Sequence, residues 1–159
     1  TEDVTREGLM GCYVHGNEPS HHVPYLYNWA GKPWKTQERI HQIKNSMYLN
    51  KPDGLCGNDD CGQMSAWYVF SSLGFYPVAP ASGQYAIGSP SVKEATLQLP
   101  NNKELVVKVE NYDEKNIYVQ HVEINGKPVR DYTLLHRDLI KGGELLFKMG
   151  RKPMKKRFK

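Results

Sequence analysis

The chain has 159 residues, enough for one ordinary domain or two small ones, and 39% of them are hydrophobic and 11% aromatic. That apolar content excludes a largely disordered chain, and no apolar run reaches the length of a membrane-spanning helix. The net charge of +4 gathers in the tail Arg151-Lys152-Pro153-Met154-Lys155-Lys156-Arg157-Phe158-Lys159. What remains is slightly acidic, so no nucleic-acid partner is expected.

The opening Thr1-Glu2-Asp3-Val4-Thr5 has no initiator Met and no signal peptide. It reads as the start of a fragment or a processed piece. Three helices are expected in the first half. The first covers 21–29, with Ser20 as its cap. The second covers 34–49, where Pro33 suits a helix start and Ile40, Ile43 and Met47 recur at three and four. Pro52 and Gly54 stop it. The third covers 62–73 and is apolar almost all round, which implies burial on most sides. Gly74 fits the position after its end.

The composition changes near residue 80. Strands are expected over 84–87, 96–99, 105–109, 117–124 and 145–149, and Asn125-Gly126 marks a two-residue hairpin. The fold class is therefore α+β. A helical part (1–80) precedes a small β domain (81–159) that resembles an antiparallel sandwich and carries the basic tail. The three cysteines Cys12, Cys56 and Cys61 do not make a disulfide framework. They read as buried free thiols, with a Cys56–Cys61 bridge as the alternative in an exported chain.

The stretch GNDDCGQMSAWY (57–68) places Asp59 and Asp60 between two glycines and just ahead of the third helix. A helix N-terminus presents unpaired N–H groups and partial positive charge, so carboxylates there stay ionised. A fixed, ionised carboxylate suits a general base or a calcium ligand better than a general acid. The plainer alternative is that one of the two aspartates only caps the helix. A second cluster, HGNEPSHH (15–22), combines Asn17 and Glu18 with His15, His21 and His22. Tyr25, Trp29 and Trp34 add aromatic planes of the kind sugar rings stack on. The histidines lack zinc-protease spacing, so structural hydrogen bonding is their expected role.

Two long segments carry a resemblance. GCYVHGNEPSHHVPYLYNWAGKPWKTQ (11–37) and DGLCGNDDCGQMSAWYVFSSLGFYPVAPASGQYAIGSP (53–90) resemble the C-terminal part of glycoside hydrolase family 92, the calcium-dependent, inverting exo-α-mannosidases. The resemblance implies that residues 1–80 are the last helices of an α/α toroid. It implies Asp60 as general base, Asn58 as an orienter of the attacking water where some members carry Asp, and Asp59 in support. It implies substrate contacts from Glu18, Asn17, His15 and Trp29, and calcium held by Asn17, Glu18 and Asp60. The general acid would lie upstream of this chain, so the isolated piece is expected to be inactive. The implied partners are a mannose-containing glycan (α-1,2 linkage as the default) and the missing N-terminal portion of the same enzyme. The implied location is secreted or periplasmic. The reading from a different class is a non-catalytic carbohydrate-binding or structural module.

Overall fold

The computed structural model describes residues 9–155. The opening residues 1–5 and the end of the basic tail (156–159) lie outside the described residues. Two short strands, β1 (Leu9–Met10) and β2 (Tyr13–Val14), pair antiparallel. The helix expected over 21–29 is replaced by two 3-10 segments, Glu18–Ser20 and Val23–Asn28. Pro19 and Pro24 sit in their first turns and lack an N–H, and the chain closes tighter bonds instead, such as Tyr25 N to His22 O at 3.0 Å. Ser20 ends the first segment and caps nothing.

The other two helices form as expected. α1 (Pro33–Met47) buries Thr36, Gln37, Ile40, Ile43, Lys44 and Met47, the three-and-four spacing of a single stripe. α2 (Gln63–Leu73) buries Met64, Trp67, Ser71, Ser72 and Leu73, and Gly74 closes it by donating to Phe70 O and Ser71 O. Its burial is less complete than its composition suggests. Tyr68 and Val69 are 40% and 56% exposed, so one apolar side of α2 has no cover among the described residues.

The remaining strands are β3 (Phe75–Tyr76), β4 (Gln84–Ile87), β5 (Glu94–Leu99), β6 (Lys103–Glu110), β7 (Tyr118–Ile124), β8 (Lys127–Pro128), β9 (Thr133–Leu135) and β10 (Gly143–Gly150), with a short helix α3 (His136–Leu139) between the last two. One sheet has the order β5-β6-β10-β7-β8 and another β3-β4-β9. The expectation of an all-antiparallel β region is corrected at one pair, because β6 and β10 run parallel. The chain between them passes through β7, β8, β9 and α3, which is long enough for the crossover that parallel strands need. Asn125 and Gly126 take φ of 50° and 72° between β7 and β8, as a type I′ turn requires.

One core cluster joins the two sheets, with Phe75, Ile87 and Leu134 packed among Leu105, Val107, Val122, Leu145 and Phe147. A second holds Tyr25, Ile40, Ile43, Met47, Trp67, Tyr76 and Ala86 beneath the helices. Phe70 packs against both. The boundary placed near residue 80 falls between β3 and β4, which pair with each other. Further bonds cross it, among them Tyr118 Oη to Glu38 Oε1 at 3.0 Å and Lys44 Nζ to Ser89 O at 2.8 Å.

Candidate active site

The loop ahead of α2 treats its two aspartates differently. Gly62 occupies the cap position of α2, and Asp59, three residues earlier, turns back onto its first turn. Its Oδ1 accepts from the Ser65 N–H and its Oδ2 from the Ser65 hydroxyl, both at 2.8 Å, and its carbonyl accepts from Gln63 N at 2.6 Å. The Ser65 N–H and then the Ser65 hydroxyl hold the Asp59 carboxyl below its usual range. Asp60 follows with φ 35°, Cys61 with φ 59° and Gly62 with φ 85°. Two non-glycine residues in left-handed conformation one after the other are strained, and such strain gathers at functional sites. The turn leaves the Asp60 side chain exposed, with no partner among the described residues. Asn58 is exposed as well.

The second cluster lies against this loop. A Cβ placed on Gly57 would stand 2.5 Å from Gly16 O and 2.6 Å from Gly16 Cα. The backbones approach so closely because Gly57 has no side chain. The contact brings Asn17 and Glu18, the next residues along, beside the segment that leads into Asn58, Asp59 and Asp60. Asn17 is exposed. Glu18 Oε1 is buried and has no hydrogen-bond partner. A carboxylate oxygen in that state calls for a cation or a donor.

Behind the two loops the polar groups are all engaged. His15 is fully buried, with Nδ1 2.7 Å from Tyr13 Oη and Nε2 2.6 Å from Tyr48 Oη. It therefore has no free edge for a sugar to touch. Burial, with a smaller contribution from the neighbouring His21, pulls the His15 imidazole down to about 3. Burial also raises the Tyr13 and Tyr48 phenols. His21 Nε2 reaches His15 O at 3.0 Å, and Trp67 Nε1 donates to His21 O at 3.1 Å. Gln63 Nε2 lies 3.4 Å from His21 Nδ1 and 3.2 Å from Tyr76 Oη.

Trp29 is placed elsewhere. It precedes α1, whereas Tyr48 follows it, and a 15-residue helix separates its ends by about 22 Å. Trp29 is 57% exposed and lines a separate groove of about 740 Å³ with Gln84, Arg130, Asp131, Thr133 and Lys155. Tyr25 is a core residue, fully buried with its hydroxyl 2.8 Å from Ser71 Oγ. The cysteines are free, but Cys12 and Cys61 are exposed and Cys56 is half-buried, a correction to the expectation of buried thiols. Loops carry all three, and of them only Cys56 packs against the core cluster beneath the helices. Sequence reasoning missed Tyr13, Tyr48, Gln63 and Ser65. Of these only Ser65 left a signal, as a hydroxyl in the first turn of a helix preceded by acids.

A family model described as the glycosyl hydrolase family 92 catalytic domain matches residues 1–151. The chain belongs to glycosyl hydrolase family 92. Among solved structures of this family, the α-mannosidase BT3965 of Bacteroides thetaiotaomicron, in complex with mannoimidazole, is 48% identical with a TM-score of 0.91, and the match covers 95% of this chain and 20% of that one. The family 92 inverting mannosidase BT2199 of Bacteroides thetaiotaomicron VPI-5482 is 43% identical with a TM-score of 0.85, over 93% of this chain and 20% of that one. A protein of Arthroderma benhamiae described as an uncharacterized secreted glycosidase is 32% identical over 139 residues, which are 86% of this chain and 18% of that protein. The chain thus spans about a fifth of the length of the relatives it matches. No helix among the described residues is long and apolar enough to cross a membrane.

Proposed function

We propose that this chain is the part of an exo-acting α-mannosidase that carries the general-base side of an inverting active site. The carrying observation is the division between neighbouring aspartates. Asp59 spends both carboxylate oxygens on Ser65, while Asp60 stands unpaired and exposed on a strained turn. Inversion requires a base that takes a proton from water as that water attacks the anomeric carbon, with an acid roughly 6.5–9.5 Å away to protonate the departing oxygen. Asp60 has the freedom to accept that proton. Asn58, with an amide that both donates and accepts, orients the water. Asp59 supports both by fixing the loop. The acid belongs to a segment outside these residues, so the 159-residue chain alone is expected to be inactive. A mannose-bearing glycan is the substrate class, as the names of the relatives suggest, with α-1,2 linkage as the default. Export to the periplasm or beyond the cell follows the same reading.

Glu18 fits a hard cation, because its Oε1 is buried without a partner. Asn17 supplies a neighbouring amide oxygen and Asp60 a carboxylate from the facing loop. No group of three or more His, Cys, Asp or Glu gathers among the described residues. The rest of the coordination shell would therefore come from carbonyls, water, sugar hydroxyls and the remainder of the enzyme. Calcium bound there would supply fixed positive charge beside the sugar hydroxyls. We also read α1 and α2 as the last helices of the family's α/α toroid, a reading supported by the uncovered apolar side of α2 at Tyr68 and Val69.

The test uses the full protein that carries these residues, with calcium and an aryl α-mannoside. Asp60→Asn is expected to lower kcat about 100- to 10,000-fold with a smaller change in KM. Hydrolysis at the parental rate would remove Asp60 from the mechanism. The second reading, a carbohydrate-binding module without turnover, is favoured by the exposed Trp29 in its polar groove. Mannoside binding that Trp29→Ala abolishes, in a full protein without hydrolysis, would decide for it.

A further inference from the structure

We propose that His15 is a positioning residue whose Nε2, through Tyr48, ties the Asn17–Glu18 segment to the first turn of α2, while its Nδ1 is fixed by Tyr13, and that it so holds the Asp60 loop in register with that segment. The inference rests on the mannosidase reading for its effect on turnover, but the hydrogen-bond chain itself stands on geometry alone.

The direction of the chain is fixed from its far end. Tyr48 Oη donates to Met64 O at 3.1 Å, and a carbonyl can only accept. The Tyr48 hydrogen is thereby committed, so its oxygen accepts from His15 Nε2–H at 2.6 Å. A neutral imidazole then presents Nδ1 bare, and it accepts the Tyr13 hydroxyl at 2.7 Å. The run from Tyr13 through His15 and Tyr48 to Met64 O has one self-consistent orientation and one imidazole tautomer.

A second strand of the network runs beside it. His21 Nε2–H donates to His15 O, which leaves His21 Nδ1 to accept from Gln63 Nε2, while His21 O receives Trp67 Nε1–H. The two strands meet α2 at Gln63, Met64 and Trp67, within its first turn and a half. The same turn donates to the Asp59 carboxylate from Ser65. Trp67 presents its ring edge to His15 at 4.4 Å between centroids and stacks on Tyr48 at 5.9 Å, so the rings have no room to swing. His15 also sits directly ahead of Gly16, whose backbone packs on Gly57. One side chain thus borders both loops of the site while touching no solvent. A histidine placed only to fill space would not need both nitrogens matched to phenols that belong to different segments.

Three variants of the full protein test this: His15→Phe, which keeps a ring and loses both nitrogens; His15→Gln, whose amide N–H can still reach Tyr48; and Tyr48→Phe, which removes a single oxygen. Amide hydrogen exchange reads the effect without substrate. In His15→Phe and Tyr48→Phe the amides of residues 63–66 are expected to exchange at least tenfold faster, with those of residues 71–74 unchanged, and His15→Gln is expected to fall between. Uniform acceleration along α2, or none, would overturn the proposal. If His15→Phe does not fold, Tyr48→Phe gives the same reading. On an aryl α-mannoside, kcat is expected to fall at least tenfold in His15→Phe with KM within about twofold, and to recover in part in His15→Gln. A parental kcat in His15→Phe would overturn the role in turnover. If the parent itself does not hydrolyse mannosides, the mannosidase reading fails, and the exchange data still decide the hydrogen-bond chain.

Discussion

Asp59 and Asp60 are the same residue one position apart, and backbone conformation separates their roles. Asp59 turns its carboxylate back onto the Ser65 N–H and hydroxyl in the first turn of α2, whereas Asp60, at φ 35°, makes no such bond. The strain at Cys61 gives a test. At φ 59° its Cβ crowds the backbone, a cost of about 1–2 kcal/mol that glycine avoids. Set against the greater freedom of glycine in the unfolded chain, Cys61→Gly is expected to raise stability by about 0.5–1 kcal/mol in urea titration. A loss of stability would show that the thiol makes a contact worth more than the strain.

At the level of elements, two loops meet because Gly57 lets them. Gly57→Ala would push a methyl group into the Gly16 backbone, which cannot rotate away as a side chain can. It is expected to cost about 1–3 kcal/mol on urea unfolding and, at the calcium site proposed around Glu18, to lower the affinity for the ion as read by titration calorimetry. Unchanged stability would mean that the loops part easily. The long elements were legible in the sequence, because α1 has a stripe of apolar positions and β4, β6, β7 and β10 alternate or carry dense β-branched residues. The two-residue strands β1, β2 and β3 were not, since a period of two needs more than two residues to show itself. The 3-10 segments were misread as helix because apolar spacing alone does not register the prolines. The aspartates and Glu18 were legible as chemistry, but the support behind them was not. His15 takes its meaning from Tyr48, 33 positions away, and no local pattern encodes that pairing.

On the scale of the whole molecule, the helices and sheets are held together by polar contacts that cross between them, and Lys44 is a buried, charged one. It is 6% exposed, and its ammonium donates to Ser89 O at 2.8 Å and to Ser71 O at 3.4 Å, one carbonyl from the segment after β4 and one from the last turn of α2. No carboxylate is paired with it among the described residues, and His41, one turn earlier, is itself lowered by burial and by Lys44. Burial pulls the Lys44 ammonium from 10.5 down to about 7. The sign follows from proton counting. Below pH 7 the folded and unfolded chains both hold this proton, so the group adds no slope and its burial cost is fully present. Between pH 7 and 10.5 the unfolded chain keeps a proton that the folded chain releases, so stability rises with pH, by at most about 1.4 kcal/mol per unit. Lys44→Met lacks this rise. Unfolding in urea at pH 6, 7.5 and 9 is therefore expected to show the difference between parent and variant nearly flat at the acid end. From pH 7 to 9 it should move in the parent's favour by about 2 kcal/mol. A difference independent of pH would mean that water reaches Lys44, and that the seam between helices and sheets is looser than its two carbonyl bonds imply.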